Sequence, residues 1–482
     1  MGNLCSSLPE HKLAIKISPA EKTSPKSSVS RSASYSSRGG DLNIREFYRL
    51  GRVLGSGQFG KVRKATSLFD PTLEMAVKTI EKKKLRNIET FITEVEMLRM
   101  LDHPNIIKIY ETFEDQNAYH IVMELCKGKE LLLYLSEKGF FEEKIASEVF
   151  LKILSVVNYM HKHGVCHRDL KLENFVGINN ENETDVKLID FGLSKKFGKN
   201  KVMETVVGTL YYVAPEVLAG NYGEKCDLWS CGVVLYMILS GKMPFNGWDN
   251  EDLLNQIRTM KIEFKGKQWE NVSEAAKDLC FKLLERDVAT RLSAEQALQH
   301  PWLSQATELP LDLNTVCMQN NFKIRSTLQR KMLYLISRTI KYDHLKILNN
   351  TFLSLDTQKE GFLNFNQVEK GVKKAGWNLS KNDVQEYFKS LDLNGDGIIK
   401  YSEFLISALY SRLNIDSSLM KEAFFHFSKG NEKINVRDLK EVLFLVNDFI
   451  DDEDDEEIEG ELELENKKEI AFDEFKKIIL SG

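Results

Sequence analysis

The side chains best suited to chemistry fall in an ordered series along the first two-thirds of the chain. Gly55-Ser56-Gly57-Gln58-Phe59-Gly60, with Val62 close behind, forms a glycine-rich turn between two strand-like runs. Met75-Ala76-Val77-Lys78 sets a lysine on the next strand-like run, and Glu94 follows in the amphipathic stretch FITEVEMLRML. Then come His167-Arg168-Asp169-Leu170-Lys171-Leu172-Glu173-Asn174, Asp190-Phe191-Gly192 and Ala214-Pro215-Glu216, with Asp227-Leu228-Trp229-Ser230 and Arg291 beyond. The glycine-rich run alone is a weak signal, equally a plain turn or a dinucleotide loop. Taken in order, the series supplies a cation, carboxylates and a carboxamide, the groups that phosphates and a hard divalent ion require.

In this order the motifs closely resemble the eukaryotic protein kinase family. The resemblance implies a two-lobed fold that transfers the γ-phosphate of ATP, with Mg²⁺ as the partner of the nucleotide. Such a transfer depends on positioning and charge neutralisation more than on covalent chemistry. Gly55, Gly57 and Gly60 let backbone approach the phosphates without a Cβ in the way. Leu54, Ser56, Gln58, Phe59, Val62 and Ala76 join them as nucleotide-binding residues. Lys78 is expected on the α- and β-phosphates, held by Glu94, while Asn174 and Asp190 offer oxygen ligands to Mg²⁺. Asp169 is the expected base that orients the substrate hydroxyl, and Lys171 steadies the transferring group. By the same resemblance Glu124 and Cys126 lie in the hinge against adenine, and Met123 is the gatekeeper. Lys171 matches the serine/threonine branch. Glu130 and Glu173 resemble the acidic positions that bind arginine upstream of the acceptor, so basophilic substrates are expected. Thr205 stands four residues before Thr209 in KVMETVVGTLYYVAPE, the register of an activation-loop phosphosite whose phosphate would pair with Arg168. Glu204 beside it offers part of the same charge.

A second constellation follows in four repeats, LDTQKEGFLNF, LDLNGDGIIKY, FSKGNEKINV and LELENKKEIAF. Loop starts at Asp356, Asp392, Ser428 and Glu463 are each followed by an aliphatic residue, Leu363, Ile399, Ile434 or Ile470. The pattern predicts four helix–loop–helix units in two pairs. Only the second reads as an intact calcium loop. Asp392, Asn394 and Asp396 hold its first, third and fifth positions, Gly397 its turn, Ile398 a carbonyl ligand and Glu403 the closing bidentate carboxylate. Lys400 inside the loop should weaken affinity. The first unit has Asp356, Gln358, Glu360 and Gly361 but closes with Gln367. The third starts with Ser428 and has Gly430 where a ligand belongs; the fourth has Glu463, Glu465 and Glu474 but also Lys467 and Lys468. These three are expected to be structural partners without metal.

The elements that must carry these residues give an α+β protein: a two-lobed kinase body over 48–302, β-rich before helix-rich, and an all-α domain over 344–482. The connector 303–343 holds a basic amphipathic stretch. Leu328, Met332, Leu335 and Ile336 share one helical face, with Arg330, Lys331, Arg338 and Lys341 around the rest. The order of kinase, connector and four-unit sensor resembles the calcium-dependent protein kinases of plants and protists. That resemblance implies a switch in which calcium reshapes the sensor and frees the kinase, with the connector helix in a calmodulin-like groove or in the substrate cleft. The alternative is a sensor domain that serves as a structural or docking module. Residues 1–47, rich in Ser, Lys, Pro and Arg, read as a disordered tail. Its start, Met1-Gly2-Asn3-Leu4-Cys5-Ser6, fits N-myristoylation at Gly2, with Cys5 open to palmitate and a basic tail to attract anionic lipid. The expectation is a monomer at the cytosolic face of a membrane, the plasma membrane first. A net charge of −5 over 482 residues argues against a general affinity for nucleic acid. The acidic run from Asp448 to Glu465 reads as a solvated linker. Seven cysteines without a pairing cadence, and no apolar leader or span, point to a reduced intracellular protein.

Overall fold

The computed structural model describes residues 43–305, 311 and 326–480, apart from gaps at 57–59, 69–70, 72, 86–87, 181, 198–202, 204–206, 340–341, 416, 429–430, 438, 440–442 and 444–467. Gly57, Gln58, Phe59, Thr205, Gly2 and Cys5 lie outside the described residues, as do Glu204, Lys341, Gly430, Glu463, Glu465, Lys467 and the run from Asp448 to Glu465.

Five strands open the fold: β1 (Tyr48–Ser56), β2 (Gly60–Ser67), β3 (Glu74–Glu81), β4 (Ile109–Glu114) and β5 (Ala118–Glu124). They form one antiparallel sheet in the order β1-β2-β3-β5-β4. The register sets Val62 opposite Lys78 and Ala76 opposite Met123, so residues 16 and 47 apart in the chain meet on neighbouring strands. Helix α1 (Ile88–Met100) packs across the sheet, with Phe91 stacked on Tyr119 at a centroid distance of 4.4 Å.

The helical lobe is built on α2 (Leu131–Lys138), α3 (Glu143–Lys162) and α4 (Pro215–Leu218). It continues through α5 (Cys226–Ser240), α6 (Asn250–Thr259), α7 (Glu274–Leu283) and α8 (Ala294–Leu298). The sequence of α5, CDLWSCGVVLYMILS, is apolar all round, and every one of its residues is buried, as such a helix requires. The short antiparallel pairs β6 (Val165–Cys166) with β9 (Lys195–Lys196), and β7 (Phe175–Gly177) with β8 (Val186–Leu188), frame the loops that bear the Asp169 and Asp190 motifs.

The C-terminal body has α9 (Thr327–Thr339), α10 (Tyr342–Leu355), α11 (Phe365–Lys374), α12 (Lys381–Leu391), α13 (Tyr401–Ile415), α14 (Ser417–Ser428) and α15 (Phe472–Leu480). Its loops are joined by β10 (Phe362–Leu363) with β11 (Ile399–Lys400) and β12 (Lys433–Asn435) with β13 (Glu469–Ala471). Leu363 pairs with Ile399 and Ile434 with Ile470, the four aliphatic positions of the repeat. The connector helix α9 lies in the core of this body, with Leu328, Met332, Leu335 and Ile336 buried beside Phe352, Leu405 and Leu409. Lys331, expected on its polar face, is only 1% exposed, and Gln329 Nε2 donates to the carbonyl of Ile479 at 2.6 Å. Helix α9 is therefore packed inside the C-terminal body, and the amphipathic reading understated its burial. Among the described residues, no helix is long and apolar enough to cross a membrane.

Candidate active site and calcium loop

Strand β3 presents Lys78 between two carboxylates. Its Nζ lies 2.5 Å from Glu94 Oε1 on α1 and 3.0 Å from Asp190 Oδ1. Burial opposes the charge on Lys78, but Asp190 and Glu94 outweigh it and raise its pKa. Burial also raises the Glu94 carboxyl against the pull of Lys78, while at Asp190 the lysine prevails over burial and holds the acid below its ordinary value. Asp190 Oδ1 also accepts the N–H of Gly192 at 3.3 Å, and the neighbouring Phe191 is fully buried, edge-on to His167.

The second half of the site is the loop between β6 and β7. Asp169 Oδ1 accepts both the N–H (3.1 Å) and the hydroxyl (2.9 Å) of Thr209, and its other oxygen pairs with Lys171. Lys171 in turn reaches Thr209 Oγ1 at 3.1 Å. Asn174 Nδ2 donates to the Asp169 carbonyl at 2.8 Å, which leaves its carbonyl oxygen for a ligand. The loop is held from below by fully buried Asp227 at the start of α5. Its carboxylate accepts the N–H groups of His167 and Arg168 at 2.8 Å each and bonds His161 Nε2 at 2.8 Å. This support permits Arg168 a left-handed φ of 69°, a strain that persists only where surroundings over-determine it. Arg168 then sends Nε to the Leu193 carbonyl at 2.7 Å and Nη1 to the Tyr222 hydroxyl at 3.3 Å.

The remaining nucleotide residues gather around this centre. Leu54, Gly55 and Ser56 end β1; Val62, Ala76 and Met123 follow from the strand register. Cys126 is half-buried just past β5, and burial pushes its thiol up to about 12. A Cβ at Gly55 would meet open space among the described residues. Lys78, Asp190 and Asn174 together fit a nucleotide with its magnesium: one cation for phosphate, two oxygen donors for the metal. When bound, Mg²⁺ neutralises charge on the phosphates; Asn174 and Asp190 would hold it.

Three partners escaped sequence reasoning. Lys187, 2% exposed, pairs with the hinge carboxylate of Glu124 at 2.7 Å. His161 completes the Asp227 clamp. Tyr212 donates its hydroxyl to Glu173 at 3.3 Å, beside a carboxyl that burial raises above its ordinary value. Glu130 sits at the cap of α2, bridged to Val176. Glu216 is held bidentately by Arg291, 2.5 and 2.9 Å, so the Ala214-Pro215-Glu216 motif and the distant arginine form one anchor.

In the calcium loop, Gly395 and Gly397 take φ of 73° and 85°, which only glycine adopts freely. Asp392 accepts the N–H of Gly395 (2.9 Å) and of Gly397 (3.0 Å). Asn394 Oδ1 accepts Asp396 N–H, and Asp396 Oδ1 accepts Ile398 N–H, at 3.0 Å each. Glu403 folds back over the loop, accepting the N–H groups of Leu393 (3.1 Å), Asn394 (3.2 Å) and Lys400 (2.8 Å). Three carboxylates and a carboxamide on one glycine-turned loop fit a hard divalent cation such as Ca²⁺. Lys400 Nζ, 3.1 Å from Asp396, competes with that cation for the same oxygen.

A model of the protein kinase domain matches residues 48–303, and an EF-hand domain pair matches 347–409. The chain is 39% identical over 417 residues to calcium-dependent protein kinase 3 of Plasmodium yoelii yoelii, covering 85% of this chain and 77% of the relative. It is 34% identical over 503 residues to calcium-dependent protein kinase 8 of Arabidopsis thaliana, covering 100% and 94%. The match to calcium-dependent protein kinase 2 of Zea mays is 34% over 448 residues, with 91% and 87% covered. With its complete phosphate-handling series and its paired hands, the chain is a serine/threonine protein kinase using ATP and Mg²⁺, and it belongs to the calcium-dependent protein kinase family.

Proposed function

We propose that this chain is a calcium-switched kinase that phosphorylates serine and threonine near arginine, acting as a monomer at the cytosolic face of a membrane. The complete ligand set of the second hand, beside a first hand that closes with Gln367, carries the calcium reading. Relatives named for their calcium dependence support it. Metal binding must draw Glu403 off the loop amides, and the adjacent Ser402 donates its N–H to Asp102 of the kinase at 2.7 Å. A change at the loop is thereby one residue from the catalytic body. Glu130 and Glu173 support the arginine preference. Gly2 with Cys5 supports acyl anchoring at the plasma membrane, where one chain alone binds only marginally. Thr205 is the proposed activating phosphosite, with Arg168 as its partner.

The deciding experiment is phosphorylation of an arginine-containing peptide with calcium or chelator, comparing the wild type with Glu403→Gln. Calcium stimulation that the variant loses supports the switch. Equal activity of both proteins in chelator overturns it and favours the second reading, a sensor body that serves as a docking module, which the contacts between the two bodies support. Recovery of Gly2→Ala in the membrane fraction at wild-type levels counts against the anchor.

A further inference from the structure

The first hand is closed by its own residues. Asp356, fully buried, accepts the N–H of Glu360 (3.1 Å) and of Gly361 (2.8 Å), and Gln367 Nε2 donates to it at 3.3 Å. Where the second hand ends in a carboxylate, this one ends in a donor. Lys359 adopts a left-handed φ of 54° and folds its ammonium onto the carbonyl of Leu353 at 2.5 Å, at the end of α10. Burial lowers the pKa of that ammonium and raises that of Asp356, while the charge of each works against the shift of the other.

Lys359, Glu360 and Gly361 of this loop also contact the kinase. The carbonyl of Lys359 accepts Asn158 Nδ2 at 2.8 Å. Glu360 pairs with Lys162 at 3.2 Å. Gly361, with φ of 76°, lies flat against the ring of Tyr159, where a Cβ would collide with the ring carbons. Asn158, Tyr159 and Lys162 all belong to the last turns of α3. Lys108 against the Tyr401 ring, 4.9 Å from its centroid, and Lys346 near Asp185, at 3.7 Å, border this contact.

We propose that the first hand is a metal-free plug: the loop Lys359–Gly361 docks the sensor on the end of α3 with or without calcium, and metal is left to the second hand. The assignment of metal to the second hand rests on the function proposed above; the docking itself does not. A plug of this kind explains why the loop dispenses with a closing carboxylate yet keeps the turn glycine. Calcium ligation would have to displace the Gln367 amide from Asp356, and Gln367 offers no carboxylate to replace it.

Amide hydrogen exchange of the intact chain tests it, read at residues 156–163 and 357–366. Wild type should protect both segments equally in chelator and in calcium. Gly361→Val, on the sensor side, and Asn158→Leu, on the kinase side, should each speed exchange at both segments by about tenfold or more. Unchanged melting of each variant by circular dichroism confirms that the fold survives. Protection that appears in wild type only with calcium overturns the proposal, as does wild-type protection in both variants. In equilibrium dialysis, Asp356→Asn should bind as many calcium ions per chain as wild type; loss of one ion also overturns it. None of these readouts uses phosphoryl transfer, so a kinase indifferent to calcium would leave the result legible.

Discussion

Acid should weaken the fold through His103. The residue is buried where the kinase meets the first hand, its ring 5.2 Å from that of Tyr159. Nδ1 accepts the N–H of Asn105 at 3.0 Å, so the neutral ring carries its proton on Nε2, which has no hydrogen-bond partner among the described residues. Charging the ring would protonate Nδ1 and break the bond to Asn105. Burial first, and then the charges of Lys187 and Lys359, hold its pKa down to about 3. The unfolded chain titrates near the ordinary 6.5 and accepts a proton that the native state refuses. Stability is therefore full above that value and is lost as the pH falls from 6.5 toward 3. From about pH 7.5 to about pH 5, one proton over about 1.5 pH units at about 1.4 kcal/mol per unit amounts to about 2 kcal/mol. Urea unfolding in chelator, followed by tryptophan fluorescence, measures it. His103→Gln keeps an acceptor for Asn105 and does not titrate, so wild type should lose about 2 kcal/mol more than the variant on acidification. Equal losses in the two proteins would refute the reasoning, because the other titrating groups are common to both.

Other outcomes are expected elsewhere. Lys78→Met removes a side chain bonded to both Glu94 and Asp190, and steady-state kinetics should show kcat lower by about a hundredfold or more. Arg291→Met strands the Glu216 carboxylate and should destabilise the kinase by about 3–5 kcal/mol in chemical denaturation, whereas adding Glu216→Leu should recover much of that. Because burial raises the Glu173 carboxyl, it loses its charge sooner than a free glutamate as pH falls. The ratio of kcat/KM for arginine- over alanine-containing peptides should then shrink on acidification; a ratio constant down to about pH 5 would exclude Glu173 from that role.

The chemistry was legible in the sequence because each motif is local. Glycines where backbone nears phosphate, Asp190 before a glycine, and alternate oxygens from Asp392 to Glu403 need only neighbours in the chain to declare their use. Strand pairing of Leu363 with Ile399 was equally readable, since the repeat itself sets the register. What the tertiary structure decided was which charges are buried, and against what. Asp227 grips His161 across 66 residues, Lys187 neutralises Glu124 across 63, and Asn158 holds Lys359 across 201. The burial of Lys331 on a helix that looks amphipathic belongs with these. A side chain's polarity is written in its own residue. Its desolvation depends on segments far away in the chain, and only folding brings those segments to it.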